Sequence, residues 1–238
     1  MLLEATGLGK SYGALKVVDD VSIAVDAGDA LGIIGPNGAG KSTLFNLIAG
    51  SVRPNRGTIR LAGRDITALS AASRCRAGIG RSFQIPRPWV GLTVYENLLV
   101  AAEFGAGEAA AMAGDDCLAI LDRLGLGHLA DVPAGRLRLL ERKRLELARG
   151  LATRPRVLLL DEIAGGLTDL ECESLIEAIR DIRKEGVAII WIEHVVHALF
   201  AVVDRLAVIS FGAKIAEGDP QEVFASRQVQ EIYLGVPA

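Results

Sequence analysis

The chain has little of several things from which whole classes of protein are built. Cysteine is scarce: Cys75, Cys117 and Cys172 are the only three in 238 residues, far apart and without paired metal-ligand spacing. They exclude a disulfide scaffold and read as small core hydrophobes in a reducing compartment. Neither sign of charge is in excess, with 26 Lys and Arg against 29 Asp and Glu and a net charge of −3. The basic bias of a duplex-DNA coat or a polybasic membrane binder is therefore missing. Mean hydropathy is +0.34, yet no stretch approaches the roughly 18 uncharged apolar residues of a membrane span. Residues 1–8 lack the basic start and long apolar segment of a signal peptide, so the expected residence is cytoplasmic. Contact with a membrane would then need a protein partner. Low proline and the absence of internal repeats remove disordered, collagen-like and solenoid classes.

What is present is an ordinary globular composition, 50% hydrophobic and 23% charged. Apolar runs of strand length recur at residues 31–34, 157–160, 187–192 and 206–209. Continuous runs of this kind suit strands buried on both faces of a largely parallel sheet. Helical patterns lie between them, at 42–49 stopped by Gly50 and at 171–184 stopped by Gly186. Residues 2–8 and 21–25 read as an antiparallel edge pair separated by a turn-rich stretch, 9–13. From about residue 89 to 134 strand runs fade, and 94–103 and 117–124 are helical in pattern. This is an inserted helical region, with an Ala/Gly-rich mobile tip expected at 105–114. The whole is an α/β domain.

One segment carries strong chemistry. Gly35-Pro36-Asn37-Gly38-Ala39-Gly40-Lys41-Ser42-Thr43 matches G-x-x-x-x-G-K-[ST] between a strand and a helix. Glycines let successive N–H groups and a helix N-terminus surround a phosphate, while Lys41 brings a point charge to the β- and γ-phosphates. Ser42 is expected to coordinate Mg²⁺ through its hydroxyl. Such a site needs a second, metal-side carboxylate at a strand end, and Asp161 supplies it. Side chains alternate along a strand, so Glu162 projects differently and is placed to orient or deprotonate an attacking water.

Phosphate loop, strand-Asp-Glu pair and helical insertion together resemble the ATP-binding subunit of an ABC transporter. The resemblance runs from Leu3 to Gly235. It implies a P-loop NTPase fold of ABC ATPase type: a mostly parallel core sheet, an antiparallel N-terminal β subdomain and an inserted helical subdomain. The chain would be one such domain, its core at about 1–84 and 153–238 and its helical subdomain at about 85–152. It further implies that Gln84, in Gly80-Arg81-Ser82-Phe83-Gln84, reaches the metal and the attacking water. His194 would contact the γ-phosphate, and Tyr12 would stack on adenine. ATP and Mg²⁺ follow as substrate and cofactor. The implied partners are membrane permease subunits, a second ATPase subunit and, indirectly, an extracytoplasmic substrate-binding protein, at the cytoplasmic face of the inner membrane. No nucleic acid is implied. Gly80–Gln84, the W-I-E-H around His194 and the ending I-A-E-G-D-P-Q-E-V-F with Tyr233-Leu234-Gly235 look most like importers of branched-chain and similar hydrophobic amino acids.

The chain also departs from the family pattern. Where the family's signature offers a serine hydroxyl and glycine amides to the partner's nucleotide, this chain has Leu137-Arg138-Leu139-Leu140-Glu141. Ile163 replaces the usual proline after Glu162, and Thr168 stands where many relatives have Asp or Asn, able to hydrogen-bond across the interface. These departures fit an asymmetric pairing with a distinct second ATPase. The basic run 142–149 reads as a solvated helix face, with Arg142 and Glu146 as an i,i+4 pair. His128 and His197 match nothing and read as surface or capping residues. A soluble ABC protein acting on nucleic acid or ribosomes, or a small-molecule kinase, are the rival readings; the Asp161-Glu162 pair favours water as the acceptor.

Overall fold

The computed structural model describes residues 1–106 and 114–234. The expected mobile tip therefore falls, for residues 107–113, outside the described residues, as does residue 235. The chain begins with a hairpin, β1 (Leu3–Tyr12) and β2 (Leu15–Val25), then enters the core as β3 (Ala30–Ile34) and α1 (Lys41–Ala49). A short hairpin β4 (Arg56–Leu61) and β5 (Arg64–Asp65), helix α2 (Ala71–Arg76) and strand β6 (Ile79–Arg81) follow. Three helices come next: α3 (Val94–Gly105), α4 (Gly114–Arg123) and α5 (Leu139–Ala152). The core resumes with β7 (Val157–Asp161), α6 (Asp169–Lys184), β8 (Ala188–Ile192), α7 (Val196–Phe200), β9 (Arg205–Ser210) and β10 (Ala213–Gly218), and ends in α8 (Pro220–Ala225) and α9 (Arg227–Leu234).

The core sheet has the order β10-β9-β3-β8-β7-β6, parallel except for β10. Strands β3, β7 and β8 are buried at every position, which is why their sequences are unbroken apolar runs. Alternation sorts their side chains. Val157 and Leu159 pack with Leu44, Leu47 and Ile48 of α1, whereas Leu158 and Leu160 pack with Leu145, Ala148 and Leu175 of α5 and α6. Asp161 is the next odd position, so it emerges on the α1 side. A second, antiparallel sheet, β2-β1-β4-β5, closes over α1.

Two expectations need correcting. Residues 9–12 are not a turn: β1 continues to Tyr12 through bulges, and only residues 13 and 14 connect it to β2. In α5, Arg142 turns back to the carbonyls of Leu137 and Gly135, at 2.8 and 2.9 Å, instead of pairing with Glu146. Lys143 and Glu146 are buried, and Glu146 meets Arg149 at 3.0 Å and the Arg87 amide at 3.3 Å. Half of the supposed solvated face is thus interior, because α5 packs under both the sheet and α3. Cys117 and Cys172 are buried and Cys75 is partly so, all three free. His128 and His197 are exposed.

Arg74 is fully buried and sits at the end of α1, donating to the carbonyls of Leu47, Ile48, Thr67 and Leu69. Burial pulls its pKa down, with Asp65 acting in the opposite direction. Two carbonyls at the C-terminus of α1 and two in the loop before α2 satisfy a cation that would otherwise be too costly to bury. Replacing Arg74 by Met orphans them, and urea denaturation should show a loss of about 2–4 kcal/mol; a loss within ~0.5 kcal/mol would contradict this account.

Candidate nucleotide site

The loop between β3 and α1 is shaped by glycine at two points of close approach. Gly35 (φ 153°) would place a Cβ 2.0 Å from the Ile209 carbonyl oxygen, and Gly40 (φ 103°) would place one 2.3 Å from that of Val17. Any side chain there would push the loop off β9 or β2. Gly40 caps α1 without any side-chain hydrogen bond, so the helix starts with its amides uncapped, beside a cavity of about 170 Å³ lined by Val17 and residues 37–43. This is the cradle an anion needs. Lys41 is buried, its Nζ held by the carbonyls of Gly35 (2.6 Å) and Pro36 (3.0 Å). Burial lowers its pKa, opposed by the charges of Glu162 and Asp161. Ser42 is exposed and Thr43 partly buried. Tyr12 is not in this lining; it lies at the β1–β2 hairpin, half exposed, with Lys10 Nζ 5.2 Å from its ring centre.

Three separate segments meet at Glu162. Its backbone leaves β7 in the left-handed region (φ 47°), a costly conformation for a side chain this size, and its amide crosses to the Ile192 carbonyl at 2.8 Å. Its carboxylate accepts one hydrogen bond from Gln84 Nε2 and lies 2.7 Å from His194 Nε2. Asp161 faces the other way, 3.2 Å from Arg81 Nη2. Burial pushes the Asp161 carboxyl up, and Arg81 works against that rise.

With this geometry in view, comparison with known proteins is decisive. A family model described as "ABC transporter" matches residues 18–165, and one described as "Branched-chain amino acid ATP-binding cassette transporter" matches 213–238. The chain belongs to the ABC transporter family. It is the ATP-hydrolysing subunit of a transport system. Among its relatives, the high-affinity branched-chain amino acid transport ATP-binding protein BraF of Pseudomonas aeruginosa is 36% identical, the alignment covering 98% of each chain. The lipopolysaccharide export system ATP-binding protein LptB of Haemophilus influenzae is 35% identical over 98% of this chain and 97% of that one. A crystal structure of the ADP conformation of an ABC transporter's ATP-binding cassette superposes with a TM-score of 0.89 at 32% identity, over 99% of both chains.

In this ABC ATPase the oxygen donors suit a hard cation. Among the described residues no group of three or more His, Cys, Asp or Glu could hold a metal. One carboxylate at Asp161 with the Ser42 hydroxyl and the Gln84 amide instead suits an ion such as Mg²⁺, which keeps waters and takes phosphate oxygens. The altered signature opens α5: Arg138 is its N-cap, with the amide given to Glu141 at 2.7 Å, and Leu139 is exposed. Thr168 is committed to its own helix, bonding Glu171 in a capping box. That hydroxyl is not free to reach across an interface in this state.

Four residues of the site were not singled out from the sequence: Arg81, Asn46, Lys143 and Glu193. Glu193 is buried between β8 and His194, accepting from the amides of Ala164 (2.7 Å) and His194 (3.1 Å). Burial raises its pKa to about 7, while Lys143 opposes and Glu162 reinforces the rise. It thus ties the loop after Glu162 to the segment bearing His194. A carboxyl raised in the fold contributes most to stability below its unfolded value and loses that contribution as pH climbs to the folded one. Glu193→Gln should cost a constant amount for the lost second acceptor, with the deficit shrinking between about pH 5 and pH 8. Denaturant midpoints across that range check it; a deficit independent of pH would not fit.

Proposed function

We propose that this chain energises the uptake of branched-chain or related hydrophobic amino acids or amides through a membrane permease. The observation that carries the substrate class is the C-terminal match at residues 213–238 to a branched-chain amino acid cassette model, supported by similarity to BraF. Similarity to LptB at nearly the same identity keeps lipopolysaccharide export as the second reading.

In this reading the phosphates of ATP lie in the cradle of residues 35–43, and Lys41 exchanges loop carbonyls for the β- and γ-phosphates. Ser42, Asp161 and Gln84 would hold Mg²⁺, which supplies positive charge to the phosphate oxygens. Glu162 orients the attacking water and accepts its proton. Gln84 and His194, both already on the Glu162 carboxylate, hold it in place; His194 also reaches the γ-phosphate, and Tyr12 stacks on adenine. The chemistry is positioning plus charge stabilisation.

The membrane partner binds elsewhere. A largely apolar groove of about 500 Å³ runs between α2 and α3, with Phe83, Trp89 and Phe104 exposed along it. In this reading a helix of the permease seats in the groove and the chain works at the cytoplasmic face of the inner membrane, which the groove's apolar lining supports. No helix among the described residues is long and apolar enough to cross it. A second ATPase closes the nucleotide site, and the leucines heading α5 favour a partner that is not a copy of this chain.

Glu162→Gln should retain ATP binding and lose turnover by roughly 10²–10⁴-fold in a phosphate-release assay; turnover near wild type would remove its role. Lys41→Ala should weaken nucleotide binding by about tenfold or more in calorimetry, and unchanged affinity would refute the cradle. For the substrate class, purification of the tagged chain from gently solubilised membranes, followed by reconstitution, should yield two polytopic subunits, a second ATPase and leucine-dependent ATP hydrolysis. Recovery of lipopolysaccharide with the complex would favour export.

A further inference from the structure

Arg81 belongs to two places at once. At the end of β6 its guanidinium is split between Asp161, 3.2 Å from Nη2, and Asn46 of α1, 2.6 Å from Nη1. Its Cζ lies 5.1 Å from the ring centre of Phe83, which Arg87 Cζ also approaches at 5.9 Å, and both Arg81 and Phe83 line the apolar groove. Its Nε is buried with no hydrogen-bond partner among the described residues. Lys41, the other nearby cation, is held by loop carbonyls, so Arg81 is the cation in direct contact with the Asp161 carboxylate. The strand end beneath is clamped, with the Ser82 amide on the Leu159 carbonyl at 2.9 Å and the Asp161 amide on Ser82 Oγ at 3.1 Å.

We propose that Arg81 is a positioning residue that stands in for the metal at Asp161 and reports occupancy of the groove to it through Phe83. The fork holds the carboxylate and α1 in register while no divalent cation is present. It must yield part of that carboxylate when one arrives, since two cations then compete for the same oxygens. Phe83 is 41% exposed and in cation–π contact with the guanidinium, so anything seated on this ring changes where the fork rests. The free Nε leaves the guanidinium an unused donor with which to re-pair as it shifts. This inference rests on the nucleotide-site reading above.

The test is Mn²⁺ affinity of the purified full chain with ATP, read from the paramagnetic resonance of free Mn²⁺, alongside turnover. Arg81→Met removes the competing charge and should tighten Mn²⁺ roughly fivefold or more while turnover falls. Damage to the site alone would weaken both. Arg81→Lys keeps the charge but not the fork, so Mn²⁺ affinity should stay within about twofold while turnover still falls. Phe83→Ala, in the groove, should tighten Mn²⁺ by about twofold or more, because the cation loses its ring. Weaker or unchanged Mn²⁺ binding in Arg81→Met overturns the proposal, and unchanged binding in Phe83→Ala overturns the link to the groove. If the Met variant does not fold, the Lys and Ala variants decide. ATP binding with excess Mg²⁺ separates the two levels: wild type that fails to bind ATP sinks the phosphate-site reading itself, whereas normal binding with unmoved Mn²⁺ affinity sinks only the role of Arg81.

Discussion

Burying charge at the ends of apolar strands is the constraint around which this molecule is organised. Strands β7 and β8 are buried at every position and lead into ionisable groups, Asp161 and Glu162 at the end of β7 and Glu193 and His194 directly after β8. A carboxylate in such a place is unaffordable unless a cation or amide donors meet it. Each is met from a different part of the chain: Asp161 by Arg81, Glu193 by the amides of Ala164 and His194, and Glu162 by Gln84 and His194. The solutions to the desolvation problem are the same contacts that bring the site together. Holding charge at the sheet edge and holding the site in shape are therefore one requirement.

This explains which parts of the molecule could be seen in the sequence. The phosphate loop depends on local backbone geometry, so its glycines and Lys41 show it directly. The buried strands announce themselves as unbroken runs, and Asp161 stands where the run of β7 stops. Three helices start one to three residues before the pattern does, at Lys41, Gly114 and Asp169, while α3 starts at Val94 as its pattern says; α6 begins at Asp169 because Thr168 and Glu171 close a capping box. Arg81 and Glu193 were invisible for a different reason. Their partners lie 80 and 29 residues away in sequence, and only the pairing of β6 with β7, and the return of the loop after Glu162 to β8, brings them together. Sequence spacing on one element carries no trace of that.

Helix α5 shows the opposite failure. Its alternation of Arg, Lys and Glu looks like a solvated face, and the i,i+4 spacing of Arg142 and Glu146 is the usual sign of one. Yet the helix is packed on two sides, and Glu146 is drawn inward to Arg149 and the Arg87 amide. Lys143 is likewise interior, pointing its ammonium toward the Glu162 carbonyl at 3.4 Å. A pattern rule that assumes one buried stripe misreads a helix with two.

The same helix differs from α1 in what its first turn offers an anion. The phosphate loop and the contacts on Glu162 both come from this chain's own core, whereas the start of α5 is poor in free donors. Glu141 closes onto the Arg138 amide, Leu139 is exposed, and the Thr168 hydroxyl is spent on Glu171. An anion approaching α5 finds a carboxylate already on the first amide and an apolar side chain beside it. Helix dipole and free N–H groups, which make a helix start attractive to phosphate, are here partly used up. The start of α5 therefore leaves an anion fewer free donors than the uncapped start of α1 does.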